Sequence, residues 1–109
     1  MKKIIFILSS VILFSCGTTQ LLTPTQADAE RGSAKFSGLT LASLNEGKSN
    51  FETQCTQCHA LKDPKKKTEE QWKSIVPRMA QKAHKKAGKE VIDATMQASI
   101  LQYVVTMGK

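Results

Sequence analysis

The 109-residue sequence contains no stretch that alternates apolar and polar residues at the period of a strand, no internal repeat, and no apolar run of the roughly 20 residues that a membrane-spanning helix needs. It also lacks a basic and aromatic stripe or any nucleic-acid motif. Its surplus of cations, 16 Lys and Arg against 9 Asp and Glu, therefore does not argue for a nucleic-acid partner. Only two histidines and three cysteines are present, so any metal or redox chemistry must come from very few side chains. What these absences leave is a small chain of helical periodicity, and the fold class is all-α.

The N-terminus is a targeting segment. Lys2 and Lys3 form a charged n-region, and Ile4 to Phe14 an apolar h-region interrupted only by Ser9 and Ser10, too short to span a bilayer. Leu13-Phe14-Ser15-Cys16-Gly17 then resembles a bacterial lipoprotein processing site, in which cleavage leaves Cys16 as a lipid-modified N-terminus; the competing reading is an ordinary signal peptide with Cys16 a chance thiol. On the lipoprotein reading residues 1–15 are removed, 94 remain, and the formal charge falls from +7 to +5 with the loss of Lys2 and Lys3. That resemblance implies an exported protein on the periplasmic side, anchored to a membrane by its lipid, and Gly17 after Cys16 favours the outer membrane. A chain this short buries a limited core and often depends on a cofactor, metal or disulfide for stability.

Residues 16–38, rich in Thr, Ser and Gly and containing Pro24, show no sustained apolar period and are expected to be a tether, with at most a short turn over 27–31. The folded domain is expected over 39–109. Leu41, Leu44, Phe51 and Cys55 share one helical face, predicting a helix over 41–55; Gly47 inside it implies the close approach of another helix. Thr68 and Gln71 form a capping box ahead of Trp72, Ile75, Val76 and Met79, and Gly88 is a terminator. Pro77 predicts a kink or a restart near 76–77. A last helix is expected from about Glu90 to about Met107, with Ile92, Met96, Ile100, Val104 and Met107 as its apolar stripe and Tyr103 beside them.

Chemistry concentrates in Cys55-Thr56-Gln57-Cys58-His59. Two thiols separated by two residues match the spacing of neighbouring haem vinyl groups, across which they can add to form thioethers, and the adjacent imidazole is held against the iron. A structural zinc site would need four N or S ligands, for which only His84 and the leader's Cys16 remain. A thioredoxin-like dithiol would need a βαβ context, and a disulfide over so short a loop would stabilise little. Export adds to the case for covalent haem c on Cys55 and Cys58.

Leu44-Asn45-Glu46-Gly47-Lys48, Phe51 and the Cys55 to His59 run look like the opening of a monohaem class I cytochrome c. The resemblance covers 41–107 and implies three to four helices around one covalently attached haem. It implies further that Gly47 and Phe51 on the first helix pack against Tyr103 on the last. His59 is then the proximal ligand, and a methionine closes the distal side. Trp72-Lys73-Ser74-Ile75-Val76-Pro77-Arg78-Met79 resembles the Trp-x-x-x-Val-x-Arg-Met run that supplies this methionine in small cytochromes, which makes Met79 the first candidate, ahead of Met96 and His84. Met96 and Met107 fit core packing on the last helix, and His84 a solvated Lys-rich face. Trp72 and Arg78 are candidates for the haem propionates, against plainer roles as a core tryptophan and a solvent-facing arginine.

The function expected is one-electron transfer between periplasmic or membrane-bound redox partners, without substrate chemistry. The alternatives are a haem enzyme or gas sensor with an open distal site, and a cytochrome subunit of an oxidoreductase complex. The basic loop from Lys62 to Lys67 is expected to steer an acidic redox partner, or else simply to be solvated.

Overall fold

The structure is a computed structural model, and it describes residues 21–55 and 62–108. Among the described residues it is all-α: four helices, α1 (Gln26–Ser33), α2 (Leu41–Cys55), α3 (Glu69–Ala87) and α4 (Ala94–Met107), with one 3-10 turn at Pro64–Lys66. None of these helices is long and apolar enough to cross a membrane.

α4 is the centre of the fold and touches α1, α2, α3 and the 3-10 turn. Its apolar residues therefore extend beyond a single stripe. Ile100, Tyr103, Val104 and Met107 are buried as the sequence pattern requires, and Val105 and Thr106 are buried too. The reason is α1, which covers the other side of α4. α1 starts at a capping box: Thr25 accepts from the Asp28 amide, while its own amide donates to Asp28 Oδ2 at 2.8 Å. Ala29 and Gly32 are buried, and a Cβ on Gly32 would meet Leu39 Cδ2 at 2.5 Å and Thr106 Oγ1 at 2.8 Å. The Arg31 guanidinium donates to the Thr106 carbonyl oxygen (3.0 Å), satisfying one of the acceptors that a helix leaves open in its last turn. Ala29 and Gly32, within the span expected to be a tether, are thus packed into the core.

α2 occupies the span expected for it and crosses α4 at Gly47. A Cβ there would lie 2.1 Å from the Ser99 carbonyl oxygen and 2.9 Å from Tyr103 Cβ, so only glycine lets the two backbones come this close. Asn50 Nδ2 donates to Ser99 Oγ at 2.9 Å beside the crossing. Phe51 then joins three helices, its ring 6.2 Å from that of Tyr103 on α4 and edge-on, at 5.8 Å, to Trp72 on α3.

α3 begins at the Thr68–Gln71 capping box and ends at Gly88, whose φ of 70° is the left-handed cap that glycine adopts without strain. It runs through Pro77 as one 19-residue helix, with no restart. Pro77 is exposed, so the backbone bond it cannot make is lost away from the buried face of Trp72, Val76 and Ala80. α4 starts at Ala94, later than the expected Glu90, because the Asp93 carboxylate accepts from the Met96 amide (2.8 Å) and fixes the N-cap there.

Candidate cofactor crevice

Cys55 is the last residue of α2. It is half-buried and packs against the core cluster of Phe51, Trp72, Val76 and Tyr103. Cys58, His59 and Cys16, the other sequence-predicted cysteines and the proximal histidine, lie outside the described residues. Cys55 opens on a cavity of about 200 Å³ whose walls include Phe51, Trp72, Ile75 and Met79, with Lys62, Lys67 and Arg78 also lining it. A smaller cavity of about 30 Å³ shares Phe51, Cys55, Trp72, Ile75 and Met79 and continues inward to Ile92 and Ile100 of α4.

The helical repeat explains how these side chains meet. Phe51 and Cys55 are one turn apart on α2, and Trp72, Ile75 and Met79 recur at i, i+3 and i+7 on α3, so two apolar stripes share one crevice. Met79, half-buried, is the methionine among these walls. Met96 lies half-buried at the edge of the core cluster, and Met107 is buried within it, lining a different cavity with Leu21 and Tyr103. Arg78 is exposed at the crevice, joined there by Lys62 and Lys67.

Of the two roles open to Trp72, propionate donor or core tryptophan, the structure describes a core position: the indole is 3% exposed and donates to the Pro64 carbonyl oxygen at 3.0 Å. It pins the 3-10 turn to α3, so its donor is engaged within the chain. His84, expected on a solvated face, is half-buried: its Nε2 lies 3.1 Å from the Ile92 amide nitrogen and 2.9 Å from the Ile92 carbonyl oxygen, tying the end of α3 to the loop before α4.

The crevice residues fit a covalently attached haem. They offer a thiol at Cys55, a thioether sulfur at Met79, aromatic and aliphatic walls for an apolar ring, and three cations for two carboxylates. No family model matches this chain, and neither does any curated protein or solved structure. The reading of the crevice therefore rests on its own residues.

Sequence reasoning named Phe51 and Ile75 for their periodicity, without seeing that they wall the crevice. The signal was available in Phe51-x-x-x-Cys55 and Ile75-x-x-x-Met79, since residues four apart on a helix share a face. Pro64 as the acceptor for Trp72 carried no such signal, because that bond depends on where the loop folds.

Proposed function

We propose that this chain is an exported one-electron carrier that holds one haem c through Cys55 and Cys58, with His59 as proximal and Met79 as distal ligand. When bound, the haem supplies a couple between ferrous and ferric iron. The observation that carries the reading is that Cys55, the last residue of α2 and the first of the C-x-x-C-H run, and Met79, from α3, line the same apolar crevice.

Each residue then has a part in that chemistry. Phe51, Trp72 and Ile75 exclude water from one side of the crevice, which favours the less charged, reduced state of a metal centre. Met79 supplies a soft thioether that raises the reduction potential relative to a second imidazole. Trp72, by donating to Pro64, holds the 62–67 loop over the crevice, where Lys62, Lys67 and Arg78 can neutralise carboxylates. His59 and Met79 would together leave no ligand position for a substrate, which suits electron transfer alone. Cys16, lipidated after export, would keep the carrier at the periplasmic face of a membrane.

The test is the absorption spectrum of protein made in an export-competent host. Haem is expected to stay attached under denaturing conditions. The weak charge-transfer band of the oxidised form, near the red end, is expected to vanish in Met79→Ala and persist in Met96→Ala. A high-spin spectrum in the unsubstituted protein would favour a haem enzyme or gas sensor, and protein without covalent haem would overturn the reading.

A further inference from the structure

Three features meet on one edge of the molecule. Leu21 and Leu22 lie against the 3-10 turn: with Pro64, Lys65, Tyr103 and Met107 they line a cavity of about 170 Å³, and the Tyr103 hydroxyl donates to the Leu22 carbonyl oxygen at 2.9 Å. The chain thus enters the fold beside the basic loop. In that loop Lys62, Lys65, Lys66 and Lys67 are all exposed, and the acid among them, Asp63, accepts from the Lys65 backbone amide at 3.0 Å. Leu22 itself is the one large hydrophobic side chain that stands exposed among the described residues, at 54%.

The length of chain ahead of this edge limits where it can go. Cys16 precedes Leu21 by five residues, a distance of at most about 18 Å at full extension. A lipid on Cys16 would therefore keep Leu21, and the loop packed beside it, near enough to the headgroups for the lysines to come within one screening length, about 8 Å at physiological salt. We propose that Leu22 and the lysines of the 62–67 loop form a docking surface for an anionic bilayer, namely the membrane that holds the Cys16 lipid. The proposal rests on the lipid-anchor part of the function proposed above.

An exposed leucine flanked by lysines suits this occupant. The leucine enters the boundary between headgroups and acyl chains, while the ammonium groups reach lipid phosphates on flexible stems. An acidic protein would use the lysines but would give no reason for an apolar side chain next to the anchor. Lys62 and Lys67 also line the crevice, so docking would turn its mouth toward the bilayer.

Amine-reactive footprinting of the full-length lipidated protein tests this. The protein is added to preformed vesicles of phosphatidylcholine alone or of phosphatidylcholine and phosphatidylglycerol at 3:1, and each lysine is followed by mass spectrometry. Labelling of Lys62, Lys65, Lys66 and Lys67 is expected to fall about fivefold on the anionic vesicles and to recover at high salt. Lys82, Lys85, Lys86 and Lys89 are expected to keep the same rate on both. Equal labelling of the loop on both vesicles overturns the docking surface. So does a loop that stays open on anionic vesicles but is shielded by an added acidic membrane protein. The same digest reports the N-terminal peptide: an unacylated Cys16 overturns the anchor, whereas an acylated Cys16 with an open loop overturns only the docking.

Discussion

Gly47 shows how one missing side chain sets the distance between two helices. The obstruction that alanine would meet is the Ser99 backbone carbonyl oxygen, 2.1 Å from the added carbon, and no rotamer change relieves a clash with backbone. Gly47→Ala is expected to cost about 2–3 kcal/mol through forced separation of α2 and α4, read as a melting temperature lower by about 10 °C or more. This residue was legible in the sequence, because a glycine inside an apolar-periodic helix sacrifices helix propensity and calls for a packing reason. Tyr103 was legible only in part. Its position on the apolar stripe could be read, but its bond to Leu22 joins residues 81 apart in the chain. Burial of the phenol, with the carboxylates of Glu52 and Asp63 adding to it, pushes its pKa from 10.0 up to about 12. The folded state therefore holds this proton more tightly than the unfolded chain does. The stability it contributes is complete below pH 10 and is lost as pH rises through about 12. Alkaline unfolding of the native protein should steepen across that window, and Tyr103→Phe should remove that component; identical alkaline profiles would refute the assignment.

At the scale of elements, capping decided what could be read ahead of the structure. The Thr68–Gln71 box announces α3 because its third residue is the expected glutamine and an apolar run follows. The Thr25–Asp28 box escaped notice because aspartate takes that role and α1 has little apolar period, its burial coming through two small residues, Ala29 and Gly32. Asp93 was missed for a related reason: three residues on stands Met96, so only half of a box is present. Pro77 was expected to bring a kink or a restart, and α3 continues through it without a restart, with the proline on the exposed side of the helix. If the caps fix the helix starts, Thr68→Ala and Asp93→Ala should each cost about 1 kcal/mol. Urea titration should show a lower midpoint with an unchanged slope, since the surface exposed on unfolding is the same. Thr68→Ser should restore most of the loss. A Thr68→Ala protein of unaltered midpoint would mean that packing around Trp72 alone fixes the start of α3.

At the scale of the whole molecule, the crevice is assembled from two helical stripes and a loop, and only the stripes have a local signature. Phe51, Cys55, Trp72 and Met79 could be picked out by spacing, whereas the Trp72–Pro64 bond and the cations gathered at Lys62, Lys67 and Arg78 depend on the tertiary arrangement. That arrangement bears directly on stability. A cavity of about 200 Å³ with aromatic and aliphatic walls is large for so small a domain. Without an occupant its aromatic and aliphatic walls would face water in place of packed atoms, and that loss of apolar burial falls on the small stability margin of a single domain. A chain made without haem, such as the Cys55→Ser, Cys58→Ser double variant, should therefore keep much of its helix, whose caps and backbone bonds are local. It should also lose the fixed packing around Trp72 and Phe51. The expected observations are far-UV circular dichroism close to that of the haem-bound protein, a collapsed near-UV signal, and a melting transition lowered by about 20 °C or more or too broad to fit. A haem-free chain that melts cooperatively within a few degrees of the haem-bound form would show that the core closes without a cofactor, and the crevice would then need another occupant.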